Sequence, residues 1–535
     1  CSTRHIEPNV FAIQDAPAWT AYEHALRETF ACHNTLAAEA CTATAKKLFD
    51  CFADAKEYGS ILQPDLTLDD LTFLSNGLDD LVRSSDLLDM AQQANVWSLV
   101  EAMKPLLRQA QALVQKYHAV VTNPPYMGIR EMSDTLVSFV NTNYPDSKTD
   151  LCTVFMQRCE VMSDVNGFYS MINIPSWMFL TSFEKLRQSI IKNNAITNMI
   201  HFGRGVFGAD FGTTSFSIRN SNIVSYSGTY LRLFDKSSWV DDLDTKEKWF
   251  FERKGLSSRA QNSFLKISGS PIAYWVSDAF IQTFMAPQLG SIAKPRQGMA
   301  TSNNDRFMRF WCEVDYNKIG LGYRTAELAQ ESHLKWFPYN KGGEYRKWYG
   351  NNIYVLNWEN DGKEIKELAV SLYKCVTRTI KNIQFYFSEC ITWTTLSIGS
   401  FSARYSEPGF LFDTKGSTCF FEDAILIPYV LALMNSKAVD SLLAVLAPSV
   451  DYNAGSLAKL PVIVDNDNQT SITCLSKENI GISRADWDSF ETSWDFQVHP
   501  LVRLKSEDLQ ELRVYGAPGT GFERGREIHA GTLEQ

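Results

Sequence analysis

No Cys-x-x-Cys pair occurs among the eleven cysteines, and the eight histidines lack ligand spacing, so neither a zinc site nor any other structural metal is expected. Scattered thiols without a disulfide framework fit a reducing compartment, and the expected location is the cytoplasm. No Gly-x-x-x-x-Gly-Lys-Ser/Thr loop is present, which argues against an ATP-driven motor. The longest apolar stretch, Ala424 to Met434, contains Pro428 and is too short to span a bilayer; no membrane partner and no secretion signal are expected. Positive charge is also scarce: 51 Lys and Arg face 61 Asp and Glu, a net charge of −10. That excludes a generally basic nucleic-acid coat and leaves room for a local basic cleft.

What is present is an ordinary globular composition, 45% hydrophobic and 21% charged. At 535 residues the chain is too long for one core, so two or three domains are expected. Residue 1 is Cys rather than Met, and the closing GAPGTGFERGREIHAGTLEQ is Gly-rich without apolar periodicity; the chain reads as a fragment.

The stretch Tyr117 to Gly128, YHAVVTNPPYMG, carries the chemistry. His118 to Val121 reads as a buried strand, because it is β-branched and too brief for a helix. Pro124 and Pro125 end it, which places Asn123 to Tyr126 at a strand's carboxyl end, where open α/β sheets keep their ligand crevice. Two acceptors held there, the Asn123 side-chain oxygen and the Pro124 carbonyl, can take both hydrogens of an amino group conjugated to an aromatic ring. Lone-pair density on that nitrogen is then free for attack on a methyl donor. Tyr126 offers a face on which the ring can stack, as flipped bases do. The alternative is a proline-rich surface turn.

Residues before 115 read as helical, over Trp19 to Phe30, Ala37 to Phe52 and Leu68 to Leu113. Asp54 lies in a loop between them, where a carboxylate can touch a cofactor or be solvated charge. After the Pro-Pro pair, Lys148 to Met162 predicts a helix capped by Thr149 or Asp150. Tyr169 to Ile174 predicts a second strand, SFEKLRQSIIKNN a helix and AITNMIHFG a third strand; this alternation is the doubly wound pattern. GRGVFGADFGTTSFSI, from Gly203, reads as a flexible Gly-rich loop whose Phe207 and Phe211 either close on a base from the face opposite Tyr126 or anchor the loop.

In the second half, Arg296, Asn303, Asn304, Arg306 and Arg309 form one locally basic segment, and Lys335, Lys341, Arg346, Lys347 and Trp348 another. Such mixtures pair phosphates, read base edges and stack, so double-stranded DNA is the expected partner. The alternative is a hairpin with inward rings and solvated charges. ITWTTLSIGSFSARY and GFLFDTKGSTCFF read as strands, IPYVLALMNSKAVDSLLAVLAP as a helix followed by a strand end, and the acidic, aromatic ISRADWDSFETSWDF as a packed connector.

Taken together, VVTNPPYMG, YPDSKTDL, SWMFLTSFEKLR, IHFGRGVF, SGSPIAYWVSD, KWFPYNKGGEYRKWYGN and SRADWDSFETSWDF resemble segments of adenine-specific DNA amino-methyltransferases, most closely the PglX type of BREX phage-defence systems. The resemblance runs from about Phe52 to about Leu501. It implies an α/β fold: a partial Rossmann-like class I methyltransferase sheet over residues 1–255, an α+β target-recognition domain over 256–475, and a helical C-terminal region over 476–535. It also implies S-adenosylmethionine as cofactor, other phage-defence subunits as partners, and catalytic roles for Asn123, Pro124, Pro125 and Tyr126. The family's Gly-rich donor turn, Asp-Pro-x-x-Gly-x-Gly-like, is not visible before Asn123. A non-catalytic or truncated DNA-recognition subunit is therefore the alternative function. NPPY also serves enzymes that methylate glutamine, but those lack a large appended domain.

Overall fold

In the computed structural model the described residues are 8–23, 35–208, 211–223, 225–235, 239–397, 400–447 and 451–503. The Gly-rich close and most of the helix expected over Trp19 to Phe30 lie outside them. The chain forms two compact units, residues 1–265 and 266–535.

The first unit opens with α1 (Thr35–Cys51), α2 (Leu68–Ser84) and α3 (Met90–Val114). Reciprocal capping boxes, Thr67 with Asp70 and Asp89 with Gln92, start α2 and α3 by satisfying otherwise orphaned N–H groups. Leu71, Leu74, Leu78 and Leu81 then recur at helical spacing and bury against Leu48, Phe52, Leu99 and Met103.

The α/β part follows: β1 (Tyr117–Thr122), α4 (Asp134–Asn143), α5 (Leu151–Met162), β2 (Ser163–Asn173), α6 (Glu184–Asn193), β3 (Ala195–Gly203), β4 (Thr213–Arg219), β5 (Ser227–Arg232), α7 (Leu243–Phe251) and β6 (Leu256–Ala260). The sheet order is β1-β2-β4-β3-β5-β6. β1 runs parallel to β2, and β3 parallel to β5, as the alternating pattern requires. β4 runs antiparallel between β2 and β3, bonded to both. This corrects the loop reading of GRGVFGADFGTTSFSI: Gly203 ends β3, residues 209 and 210 lie outside the described residues, and TTSFSIR alternates inward and outward as a strand. A second correction concerns β1, which is a sheet edge among the described residues rather than a buried strand, with Val121 77% exposed. β6 pairs antiparallel with β5, which carries the first unit past residue 255.

The second unit holds two four-stranded sheets. One, ordered β13-β9-β10-β8, uses β8 (Met308–Phe310), β9 (Trp336–Asn340), β10 (Tyr354–Asn357) and β13 (Leu411–Phe412). The other, β12-β11-β14-β7, uses β7 (Ala293–Arg296), β11 (Cys390–Thr394), β12 (Ala403–Ser406) and β14 (Gly416–Phe421). Phe337, Leu356, Phe387, Phe412 and Phe420 form a core with α8 (Glu359–Tyr373), which contributes Ile365 and Ala369. Ile391, Trp393 and Cys419 pack on the helix pair α9 (Leu426–Met434) and α10 (Lys437–Leu446). The sequence pattern predicts one helix there; the chain instead bends by 74°. Asn435 at the bend turns inward and exchanges two 3.0 Å hydrogen bonds with the backbone of Ala403. The expected strand end after it is a short helix, Ala454–Ala458. α11 (Gln469–Trp487) completes the unit. No single helix among the described residues is long and apolar enough to cross a membrane, and the apolar side chains of α9 and α10 are core.

Candidate active site and nucleic-acid-facing segments

Asn123 to Tyr126 leave the carboxyl end of β1, and the chain beyond them is pinned to the start of α5. Leu151 N–H donates to the Met127 carbonyl at 2.9 Å and Ile129 N–H to the Thr149 carbonyl at 3.0 Å. Asp150, as expected, caps α5, accepting from Cys152 N–H at 2.9 Å. Asn123 and Pro125 are exposed, Pro124 is buried and Tyr126 half-buried. The Tyr126 hydroxyl lies 3.2 Å from both Asn123 Oδ1 and the Ile172 carbonyl, so it fixes the Asn123 side-chain oxygen against the end of β2. Burial, then the neighbouring Cys152, holds the Tyr126 phenol above its usual range, so it is a donor at neutral pH. The Cys152 thiol is itself pushed far up, by burial first and then Asp150, and is no nucleophile. The Pro124 carbonyl accepts no hydrogen bond among the described residues, although Pro124 itself is buried.

Phe211 stands beside Tyr126, ring centroids 5.7 Å apart and planes at 85°. A ring held between two parallel faces needs them about 7 Å apart, twice a carbon contact distance. Phe211 therefore meets Tyr126 edge-on in this state, and stacking a base between them requires it to turn. Phe207 makes no ring contact among the described residues; it is 71% exposed, with φ at 60°.

Asp54 precedes the short helix Ala55–Tyr58 without a side-chain cap bond and is exposed. Its loop is anchored by groups that sequence reasoning did not single out. Buried Arg158 donates to the Ser60 carbonyl at 2.9 Å and the Leu113 carbonyl at 2.7 Å, and Tyr144 donates to Ile61 O at 2.5 Å. Asn173 and Arg187 were also missed. Asn173, fully buried at the end of β2, accepts from Trp177 Nε1 at 3.2 Å and Thr214 Oγ1 at 2.8 Å, locking the SWMF turn to β4. Arg187 donates to the Trp177 and Leu180 carbonyls at 2.9 and 2.6 Å. The available signal was a polar residue at a strand end preceding Ile-Pro-Ser-Trp, with an Arg one helical turn into the next helix.

In the second unit each basic candidate has an internal partner. Arg306 pairs with Glu364 at 2.5 Å, Lys335 with Glu359 at 3.9 Å, and Lys341 with Asp413 at 2.6 Å. Arg346 pairs with Asp486 at 2.7 Å and lies 5.0 Å over the Trp487 ring. Lys347 donates to the Asn435 carbonyl at 2.8 Å. Arg309 donates to the carbonyls of Met308 and Asp305, and Arg296 lies 5.6 Å over Phe385. Asn303 caps a helical turn by accepting from Arg306 N–H at 3.0 Å, while Asn304 accepts from Thr301 at 2.5 Å. Trp348, at φ 70°, is tied through its backbone to Ala403 and Tyr405. Half-exposed pairs such as Arg306–Glu364 contribute about 0–1 kcal/mol and exchange readily for a phosphate. Lys341 differs, because its partner Asp413 is 2% exposed.

Among known proteins, residues 44–207 match the Eco57I restriction-modification methylase family, and Asn123 to Tyr126 fall inside that stretch. The chain is 37% identical over 479 residues to adenine-specific methyltransferase PglX of Lacticaseibacillus casei (strain Zhang), covering 87% of this chain and 39% of that protein. It is 37% identical over 473 residues to adenine-specific methyltransferase BrxX of Escherichia coli O9:H4 (strain HS), covering 87% of this chain and 37% of that protein. The chain thus spans under two fifths of the length of these curated relatives. Solved structures similar to it include the type IIL restriction-modification enzyme MmeI in complex with DNA, at 10% identity and TM-score 0.48 over 96% of this chain and 75% of that one. A nuclease-deletion mutant of the type ISP enzyme LlaGI with a DNA substrate mimic follows at 11% and 0.44, over 88% and 47%. Identity is sustained along most of the chain, with the Asn-Pro-Pro-Tyr turn inside the matched methylase stretch, so over 87% of its length this chain is similar to a part of the adenine-specific methyltransferases PglX and BrxX.

Proposed function

We propose that this chain carries the adenine-orienting and DNA-recognising parts of a site-specific adenine DNA methyltransferase, working in BREX-type phage defence with other subunits. The observation that carries this reading is the pair of acceptors at the end of β1: Asn123 Oδ1, held by Tyr126, and the Pro124 carbonyl, which accepts no hydrogen bond among the described residues. Accepting both hydrogens of an exocyclic amino group draws the nitrogen lone pair out of conjugation, and the rigid Pro-Pro backbone makes that alignment without reorganisation. Tyr126 supplies the stacking face for a flipped adenine, and Phe211, once turned, the opposite one. No strong base is needed, because nitrogen loses its proton only after the new bond forms.

Residues 1–265 take the catalytic role and residues 266–535 that of target recognition, with Arg306, Arg309 and Lys335 as the phosphate-pairing set. S-adenosylmethionine is the donor that methyltransferases in general use, and it supplies an electrophilic methyl group. The described residues do not build a cradle for it. β1 is the first strand of the sheet, no glycine turn follows a strand before Asn123, and Asp54 is exposed without an anchoring bond. The chain's own contribution is therefore the acceptor side.

The test is methyl transfer from labelled S-adenosylmethionine to unmethylated DNA by this chain, by Asn123→Ala, and by a form extended upstream to the length of its relatives. Adenine labelling lost in Asn123→Ala supports the catalytic reading. DNA binding with no labelling by any form overturns it and leaves the recognition subunit.

A further inference from the structure

The loop joining β9 to β10 has a rigid exposed tip whose two largest side chains the fold does not use. Gly342 and Gly343 turn the chain at φ 95° and 140°, values that exclude most side chains. The Gly343 carbonyl accepts from Thr394 Oγ1 and the Glu344 carbonyl from Asn351 Nδ2, both at 2.9 Å. Behind the tip, Arg346 is clamped to Asp486 and to the Ser483 and Tyr349 carbonyls, while Ser483 Oγ donates to the Lys347 carbonyl at 3.2 Å. Trp348 and Asn351 sit at φ 70° and 63°, strained conformations that these contacts hold in place. Glu344 and Tyr345 point from this anchored backbone with no hydrogen bond, ion pair or ring contact to other side chains among the described residues, and Tyr345 is 56% exposed.

Free side chains on an ordered backbone suit recognition, because the loop's ordering entropy is not charged against binding. The chemistry of the pair selects the target. A carboxylate repels phosphate, so the place for Glu344 in a DNA interface is a base edge, where it accepts from an exocyclic amino group such as cytosine N4. A half-exposed Tyr packs against bases or sugars beside that contact. Resting on the reading of residues 266–535 as the recognition unit, we propose that Glu344 and Tyr345 form a base-reading pair, Glu344 setting the base preference at one position and Tyr345 adding contact area. The loop's cations behind them, Arg346 and Lys347, are positioning residues.

The test uses the full chain with fluorescent duplexes, measuring affinity for random-sequence DNA and base preference from a randomised pool. Wild type is compared with Glu344→Ala, Glu344→Gln and Tyr345→Ala, all surface changes whose folding is checked by thermal melting. Glu344→Ala is expected to flatten the preference at one position by about tenfold without weakening random-sequence binding. Glu344→Gln should redirect it toward adenine, which a side-chain amide matches. Tyr345→Ala should weaken binding to all sequences several-fold. Glu344 variants that keep the wild-type preference or that change affinity equally for every sequence, or a Tyr345→Ala chain that binds as tightly as wild type, overturn the pair while the recognition reading stands. A wild-type chain that binds no duplex overturns that reading, and the pair with it.

Discussion

Asn123 and Lys341 show how differently a polar residue can serve. Asn123 is exposed and, among the described residues, its side chain is bonded to Tyr126 alone, so Asn123→Ala should leave the unfolding free energy within about 0.5 kcal/mol of wild type while abolishing methyl transfer in the extended form. Tyr126→Phe frees Asn123 Oδ1 and keeps the ring, so it should retain more activity than Tyr126→Ala, which removes the stacking face; single-turnover rates on the same duplex measure this. Lys341 is the opposite case. Its partner Asp413 is buried and also accepts from Tyr339 at 2.6 Å and Lys415 N–H at 2.7 Å. Lys341→Ala strands a buried carboxylate and should cost about 3 kcal/mol in chemical denaturation, whereas Lys335→Ala should cost under about 1 kcal/mol. A basic residue beside aromatics reads the same in both places; only burial of the partner separates them.

At the scale of elements, the glycine-containing loop and β4 act together. Gly203 and Gly205 have φ 71° and 86°, and a Cβ at Gly205 would come within 2.6 Å of Val240 Cγ1. Gly205→Ala should destabilise the first unit by more than about 1 kcal/mol and shift Phe211 away from Tyr126, seen as a changed Tyr environment in near-ultraviolet dichroism. The strands β2 and β3 and the helices α5 and α6 were legible in the sequence because each carries a clean period, a cap or a proline stop. β4 was not, since its alternating TTSFSIR follows four glycines that signal a loop. The bend between α9 and α10 was equally hidden: Asn435 breaks the helix because Ala403, far away in sequence, offers both a donor and an acceptor.

For the molecule as a whole, pH exposes one buried group. His201 on β3 is pushed down to about 3, by burial first and then by Arg232 and Lys246. In the unfolded chain it titrates near 6.5. A base whose folded value is depressed stabilises the fold above its unfolded value, and that contribution is lost as pH falls from about 6.5 toward 3. Denaturation midpoints should decline through that window with a slope approaching 1.4 kcal/mol per unit from this residue, and His201→Gln should flatten the decline. An unchanged slope in the variant would assign the acid loss to other groups.

The sequence by itself determined the chemistry on offer: an Asn-Pro-Pro-Tyr turn after a short strand, helices with their caps, and basic segments laced with rings. Those features are local, because prolines, caps and periodicity act within a few residues of themselves. Only the tertiary structure decided that β1 is an edge, that β4 inserts between β2 and β3, that Phe211 meets Tyr126 edge-on, and that Lys341 and Arg346 are held by Asp413 and Asp486. Each of these joins residues tens of positions apart. Their energies depend on burial and on a partner's geometry, and no local window of sequence contains either.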